Sequence, residues 1–99
     1  MFKYAITRKP SKSMIDGLSD ADLGAPDYEA AIAQHKDYVE ALKECGLEVT
    51  VLEACEEYPD SCFVEDVALM TPHCAILTNP GAPSRRGEVE HIEDVVKEF

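Results

Sequence analysis

The sequence predicts a mixed α/β fold built from short strands. Three patterns carry that prediction: short segments in which apolar and polar residues alternate, two segments whose apolar residues recur at three- and four-residue steps, and Pro, Gly and Asn punctuation between them. The resulting order is strand, long loop, helix, strand, hairpin, loop, helix. No repeat of fixed period, low-complexity tract or linker interrupts it, so residues 1–99 are expected to form a single structural unit.

The first strand is read over Phe2 to Thr7 (FKYAIT), which alternates and holds β-favouring residues. Arg8 to Ala25 follows as a long polar loop with one apolar island, Met14 to Leu18. Gly17 and Gly24 are candidate hinges for a lid. Pro26 suits the first turn of a helix, and Asp27 and Glu29 complement the positive end of its dipole. Tyr28, Ala31, Ile32, His35, Tyr38, Val39 and Leu42 form one stripe of that helix, and Gly46 ends it. His35 on this stripe is expected to be a satisfied core histidine rather than a catalyst.

Leu47 to Leu52 (LEVTVL) alternates as the second strand, and Glu53, Glu56 and Glu57 then read as a solvated loop. Val67 to Met70 and Cys74 to Thr78 are short apolar runs around Thr71-Pro72-His73, the composition of a tight turn in a hairpin. Asn79 to Ser84 (NPGAPS) is a loop. Gly87 to Phe99 returns to helical period, with Val89, Ile92, Val95, Val96 and Phe99 on one side and no stop signal before the last residue.

With 99 residues, 45% hydrophobic and 29% charged, the chain has the composition of a globular domain. Its formal net charge of -11 repels nucleic-acid backbones and anionic membranes and attracts cations. The start, MFKYAITRKP, has no signal-peptide hydrophobic region, and no apolar run is long enough to span a membrane, so a cytoplasmic location is expected. Cys45, Cys55, Cys62 and Cys74 contain no CxxC pair, and none has a His at zinc-finger spacing. They are expected to be thiols, with no metal site.

Chemistry concentrates between Asp60 and Arg86. Asp60, Glu65 and Asp66 precede the hairpin, Arg85 and Arg86 follow it, and opposite charges held apart suit a zwitterionic ligand. Cys62 is the cysteine in polar company, yet neighbouring carboxylates raise a thiol's pKa, which makes it a poor nucleophile. Asp60 and Asp66 also have the makings of a glycosidase acid pair, a pattern that any two acids six positions apart would satisfy. Alternatively the acids receive a guanidinium, whose planar fork of donors matches carboxylates, while Arg85 or Arg86 holds a carboxylate at the ligand's other end. In Phe63-Val64-Glu65-Asp66, two apolar residues pin the segment that presents the acids.

Phe63-Val64-Glu65-Asp66, preceded by Pro59-Asp60-Ser61 and followed by Asn79-Pro80-Gly81-Ala82-Pro83-Ser84-Arg85-Arg86-Gly87-Glu88, resembles the N-terminal part of the dimethylarginine dimethylaminohydrolase family of the guanidino-group modifying, or amidinotransferase, superfamily. The likeness extends to MFKYAITRKPSKSMIDGL and the helix from Pro26, essentially the whole chain. It implies the N-terminal part of a five-bladed, pentein-like α/β propeller. It also implies arginine metabolism: hydrolysis of Nω-methylated arginine to citrulline and a methylamine, with no metal or cofactor. Carried across by motif, Glu65 and Asp66 hold the guanidinium. Asp60 and the backbone carbonyl of Leu18 take the α-amino group, Arg85 takes the α-carboxylate, and Phe63 lines the pocket. The exact guanidino amino acid rests on the resemblance, because arginine deiminases and amidinotransferases use similar acids.

The family's catalytic Cys, His and orienting Glu match nothing within residues 1–99; His35, His73, His91 and the four cysteines lie in other contexts. No catalytic residue is therefore expected in this chain, which reads as a truncated recognition segment, inactive alone. The alternative is a non-catalytic α/β domain that binds a cationic amino acid and associates with its own copies into a homo-oligomer through unpaired strand edges and the stripe of Val89, Ile92, Val96 and Phe99.

Overall fold

In a computed structural model, residues 2–16 and 27–99 are described. Gly17, Leu18, Gly24 and Pro26, singled out above, lie outside the described residues. The contacts divide the chain into two compact units, Met1–Cys62 and Phe63–Phe99.

The first unit is a β-α-β arrangement. Strand β1 (Tyr4–Arg8) pairs in parallel with β2 (Glu48–Leu52), Tyr4 opposite Glu48 and Arg8 opposite Leu52, and helix α1 (Tyr28–Glu44) lies between them in sequence and packs on β2. Parallel strands need such a crossover, because a tight turn cannot return the chain to the same end of the sheet. Both strands start later than expected, and β1 runs one residue further. The ladder decides these bounds: Glu48 N–H donates to the Lys3 carbonyl at 2.9 Å and Lys9 N–H to the Leu52 carbonyl at 3.0 Å.

Helix α1 starts at Asp27, whose carboxylate accepts the Ala30 N–H at 3.3 Å. It stops at Gly46, with φ of +88°, where the Gly46 N–H reaches the Lys43 carbonyl at 2.9 Å and the Leu47 N–H reaches the Leu42 carbonyl at 3.3 Å. This paired closure requires a left-handed residue, and glycine adopts it without a Cβ clash. Val39 is buried on the helix, whereas Tyr38, expected on the same stripe, is 55% exposed. His35 sits on the stripe half-buried, but its Nε2 is buried without a hydrogen-bond partner among the described residues, so it is not the satisfied histidine expected.

The loop after β2 differs most from expectation in this unit. Glu56 is no mere solvated acid: its carboxylate accepts the N–H groups of Lys12 and Ser13, both at 3.1 Å, and caps a 3₁₀ turn over Lys12–Asp16. Ser13 Oγ donates to the Glu56 carbonyl at 2.9 Å, and Glu53 pairs with Lys9 at 3.2 Å. Sequence periodicity cannot register such contacts, which join residues more than forty positions apart.

The second unit carries the hairpin. Strands β3 (Ala68–Met70) and β4 (Ala75–Leu77) are antiparallel, with Ala68 opposite Leu77 and Met70 opposite Ala75. Thr71 ties the turn: its Oγ1 accepts the N–H groups of His73 at 3.2 Å and Cys74 at 3.0 Å and donates to the Cys74 carbonyl at 2.9 Å. The expected helix over Gly87 to Phe99 is instead a 3₁₀ helix, Pro83–Val89, followed by α2, Glu90–Val96, and a closing turn. Proline opens the 3₁₀ stretch early because its missing N–H costs nothing in the first turn. Val67, Ile92 and Val96 are buried at 2%, 2% and 8% exposure, while Phe99, expected on the same stripe, is 51% exposed. Each buried side chain contributes about 1.5–3 kcal/mol by its removal from water. Among the described residues, no helix is long and apolar enough to cross a membrane.

Candidate functional site

The acid-bearing turn of the second unit is built from the inside outward. Phe63-Val64-Glu65-Asp66 curls into a 3₁₀ turn over Val64–Asp66, closed by the Asp66 N–H to the Phe63 carbonyl and the Val67 N–H to the Val64 carbonyl, both at 3.3 Å. Val67 anchors it in the core. From the end of β4, Thr78 then locks the turn twice: its N–H donates to the Val67 carbonyl at 3.1 Å and its Oγ1 to the Asp66 carbonyl at 2.6 Å. The backbone beneath Glu65 and Asp66 is thereby held from two sides while both side chains stay exposed.

Arg85 reaches this turn from the 3₁₀ helix that Pro83 opens. Its N–H closes on the Ala82 carbonyl at 3.0 Å, and its guanidinium meets the turn at Asp66 and the Phe63 carbonyl. Nη1 donates to Asp66 Oδ2 at 2.6 Å and Nη2 to the Phe63 carbonyl at 3.1 Å. The other edge meets Glu88 in a fork: Nε to Oε2 and Nη2 to Oε1, each at 2.8 Å. The Arg85 and Glu88 side chains are 12% and 3% exposed, whereas Asp66 is 52% exposed. Hydrogen bonding to Glu88 raises the Arg85 pKa, burial opposes the rise, and Asp66 adds to it, so the guanidinium stays charged at every accessible pH. Arg86 serves the preceding loop, donating to the carbonyls of Pro80 at 2.9 Å and Gly81 at 3.4 Å.

Of the residues expected at the site, Phe63, Glu65, Asp66 and Arg85 lie in this unit, and Phe63, Asp66 and Arg85 meet directly. Phe63 enters through its carbonyl, with the residue 50% exposed. Asp60 is half-buried in the first unit, within a turn fastened by the Ser61 N–H to the Tyr58 carbonyl at 3.0 Å and by Ser61 Oγ to the Cys55 carbonyl at 3.3 Å. Two contributors were missed. Glu88 was legible as a partner three positions after Arg85, a spacing that eclipses side chains in a 3₁₀ helix. Thr78 had no signal beyond its place at the end of an apolar run.

Chemically, Glu65, Asp66 and Glu88 outnumber Arg85, and the excess negative charge lies on the exposed pair. Among the described residues Glu65 makes no hydrogen bond and Asp66 Oδ1 accepts none, so these oxygens can receive a donor-rich cation. No group of three or more His, Cys, Asp or Glu that could hold a metal ion occurs among the described residues.

A family model described as N,N dimethylarginine dimethylhydrolase, eukaryotic, matches residues 23–99. A curated N(G),N(G)-dimethylarginine dimethylaminohydrolase of Pseudomonas aeruginosa is 52% identical over 99 residues, covering 100% of this chain and 39% of that protein. A solved adduct of dimethylarginine dimethylaminohydrolase with S-methyl-L-thiocitrulline superimposes with a TM-score of 0.98 at 52% identity, over 100% of this chain and 39% of the other. A mutant of the Pseudomonas aeruginosa enzyme complexed with citrulline gives 0.96 at 48% identity, again over 100% and 39%. The chain thus spans about two fifths of the length of these relatives.

Proposed function

The chain belongs to the dimethylarginine dimethylaminohydrolase family and has the pentein-like α/β fold of its relatives, and from that premise we propose that it is the N-terminal substrate-recognition segment of such an enzyme. The ligand is a guanidino amino acid, with Nω-methylated arginine the first choice. The observation that carries this reading is the acid pair Glu65 and Asp66, exposed on a turn whose backbone is pinned by Val67 and Thr78. A guanidinium meeting such fixed acceptors orders few protein groups on binding, which keeps the entropic cost low. Relatives solved with citrulline or S-methyl-L-thiocitrulline support a ligand of this chemistry.

In this reading Glu65 and Asp66 take the guanidinium, Phe63 borders it, and Asp60 with the Leu18 carbonyl takes the α-amino group. Arg85 takes the α-carboxylate. Hydrolysis of the ligand to citrulline and a methylamine would use a Cys nucleophile and a His from outside residues 1–99. The chain alone is inactive by this account, and citrulline formed by the purified chain would overturn it.

The deciding experiment is calorimetric titration of the chain with asymmetric dimethylarginine, repeated with Asp66→Ala. Binding that weakens by about tenfold or more in the variant supports the reading, since a charge-assisted hydrogen bond contributes about 1.5–3 kcal/mol. Equal binding by the two proteins would refute it.

A second reading is a non-catalytic domain that binds a cationic amino acid and self-associates; the stripe expected to mediate it has Ile92 and Val96 buried at 2% and 8%, so it draws instead on the apolar exposure of the hairpin, Leu69 at 57% and Ile76 at 48%. Sedimentation equilibrium decides it, with a concentration-dependent mass in favour and a monomer at all concentrations against.

A further inference from the structure

Glu88 is the one buried acid among the described residues, at 4% exposure, and the recognition scheme above gives it no contact with the ligand. Both its oxygens go to one group, the Nε–Nη2 edge of Arg85. The sequence places this pair three positions apart in a 3₁₀ helix, where three residues complete a turn and their side chains project from the same side. A guanidinium is rigid and planar, so once one edge is fixed by two parallel bonds the directions of its other N–H groups are fixed as well. In Arg85 those directions lead to Asp66 Oδ2 and the Phe63 carbonyl.

We propose that Glu88 is a positioning residue of the recognition site, a buried carboxylate that fixes the plane of Arg85 and through it orients Asp66 and the Phe63 carbonyl for a guanidino ligand. The ligand half of this inference rests on the recognition reading above. Stability alone is a weak reason to bury such a pair, because apolar side chains of similar size stabilise a core as well or better. Orientation is the stronger reason. Asp66 is 52% exposed and would otherwise turn freely, and Arg85 is itself a guanidinium. Released from Glu88, Arg85 could rotate to present a full edge to Asp66, occupying the acid that the ligand's guanidinium needs. By holding one edge back, Glu88 limits Arg85 to a single nitrogen on Asp66 and leaves Oδ1 for the ligand.

The test compares the 99-residue chain with its Glu88→Gln and Glu88→Asp variants by two readouts. In nitrogen-15 NMR the unmutated chain should show a slowly exchanging Arg85 Nε–H. Glu88→Gln should lose that protection and move the Asp66 carboxyl carbon-13 resonance, while the amides of Val67, Ile92 and Val96 stay dispersed. Calorimetry with asymmetric dimethylarginine should show binding weakened about tenfold or more in Glu88→Gln, the loss expected for one charge-assisted contact, with Glu88→Asp in between. Binding within about twofold of the unmutated chain despite loss of the Nε–H protection, or an unmoved Asp66 resonance, would overturn the proposal. If the unmutated chain binds no dimethylarginine, the recognition reading fails by itself, and the positioning of Asp66 stands or falls on its carboxyl resonance. If Glu88→Gln unfolds the second unit, Glu88→Asp, which keeps the charge but shortens the reach, decides by the same readouts.

Discussion

Arg85 joins two acids in unlike surroundings, so deleting each partner should have unequal effects on stability. Glu88 is 3% exposed at its side chain and makes two bonds of 2.8 Å; Asp66 is 52% exposed and makes one of 2.6 Å. Glu88→Ala leaves a largely buried guanidinium without its main acceptor, a loss of about 3–5 kcal/mol for a broken buried pair. Asp66→Ala removes a solvated arm, with an expected loss of about 0.2–1 kcal/mol, even though its bond is the shorter one. The shorter distance does not decide, because water replaces Asp66 and cannot replace Glu88. Replacing both members of the buried pair, as Arg85→Met with Glu88→Leu, should recover most of the loss, since no charge is then left buried. Urea unfolding followed by circular dichroism reads all four proteins. With a slope of about 2 kcal/mol/M, the midpoint should fall by about 1.5–2.5 M in Glu88→Ala and by at most about 0.5 M in Asp66→Ala. If the two single variants agree within about 0.5 kcal/mol, the Arg85–Glu88 pair is not buried in solution and the reasoning fails.

Other expectations follow from the same geometry. A Cβ added at Gly46 or at Gly81 meets nothing within 4 Å, but only Gly46 has positive φ; Gly46→Ala should therefore be less stable than Gly81→Ala by about 1–2 kcal/mol, read as paired thermal melts, and equal melts would refute the backbone argument. Ile92→Ala should lose about 2–5 kcal/mol at its 2%-exposed site, while Leu69→Ala at 57% exposure should change stability by no more than about 0.5 kcal/mol in either direction. Burial, with a smaller contribution from the charge of Lys9, lowers the His35 pKa below 6.5. The unfolded chain then takes up this proton at higher pH than the folded one, so the contribution is complete above about pH 6.5 and is lost as pH falls through the folded value. From about pH 7.5 to 5.5 the melting temperature of the unmutated chain should fall further than that of His35→Gln, and parallel curves would remove His35 from the account.

Much of the fold was legible because local chemistry decided it. Gly46 ended α1 where glycine alone tolerates the required backbone, Asp27 stood at its start, and the two apolar runs around Thr71-Pro72-His73 paired as β3 and β4. The second helical segment starts before its apolar stripe, which marks only the span from Gly87 onward. Pro83 starts the winding four positions earlier with three-residue turns, and that tighter winding carries Arg85 and Glu88 to the same side. The exposure of Tyr38 and the burial of Ile92 and Val96, expected on an open stripe for self-association, were not legible, because a periodic pattern names a stripe without saying how wide a stripe its neighbours cover.

For the site, the sequence by itself determined the chemical inventory: acids at 65 and 66 on a segment pinned by apolar residues, an arginine at 85, and a pattern shared with a family of guanidino-group enzymes. Side-chain chemistry and short-range spacing are written in the order of residues. Tertiary structure alone decided which charges are spent on the protein and which remain exposed. It gave Glu56 to the N–H groups of Lys12 and Ser13 and Thr78 to the Asp66 carbonyl, and it buried Glu88 against the Arg85 that local spacing had placed beside it. Burial sets the strength of each pairing, and burial depends on what the rest of the chain brings alongside; hence Glu65 and Glu88, indistinguishable as letters, end up as an exposed acid and a buried anchor.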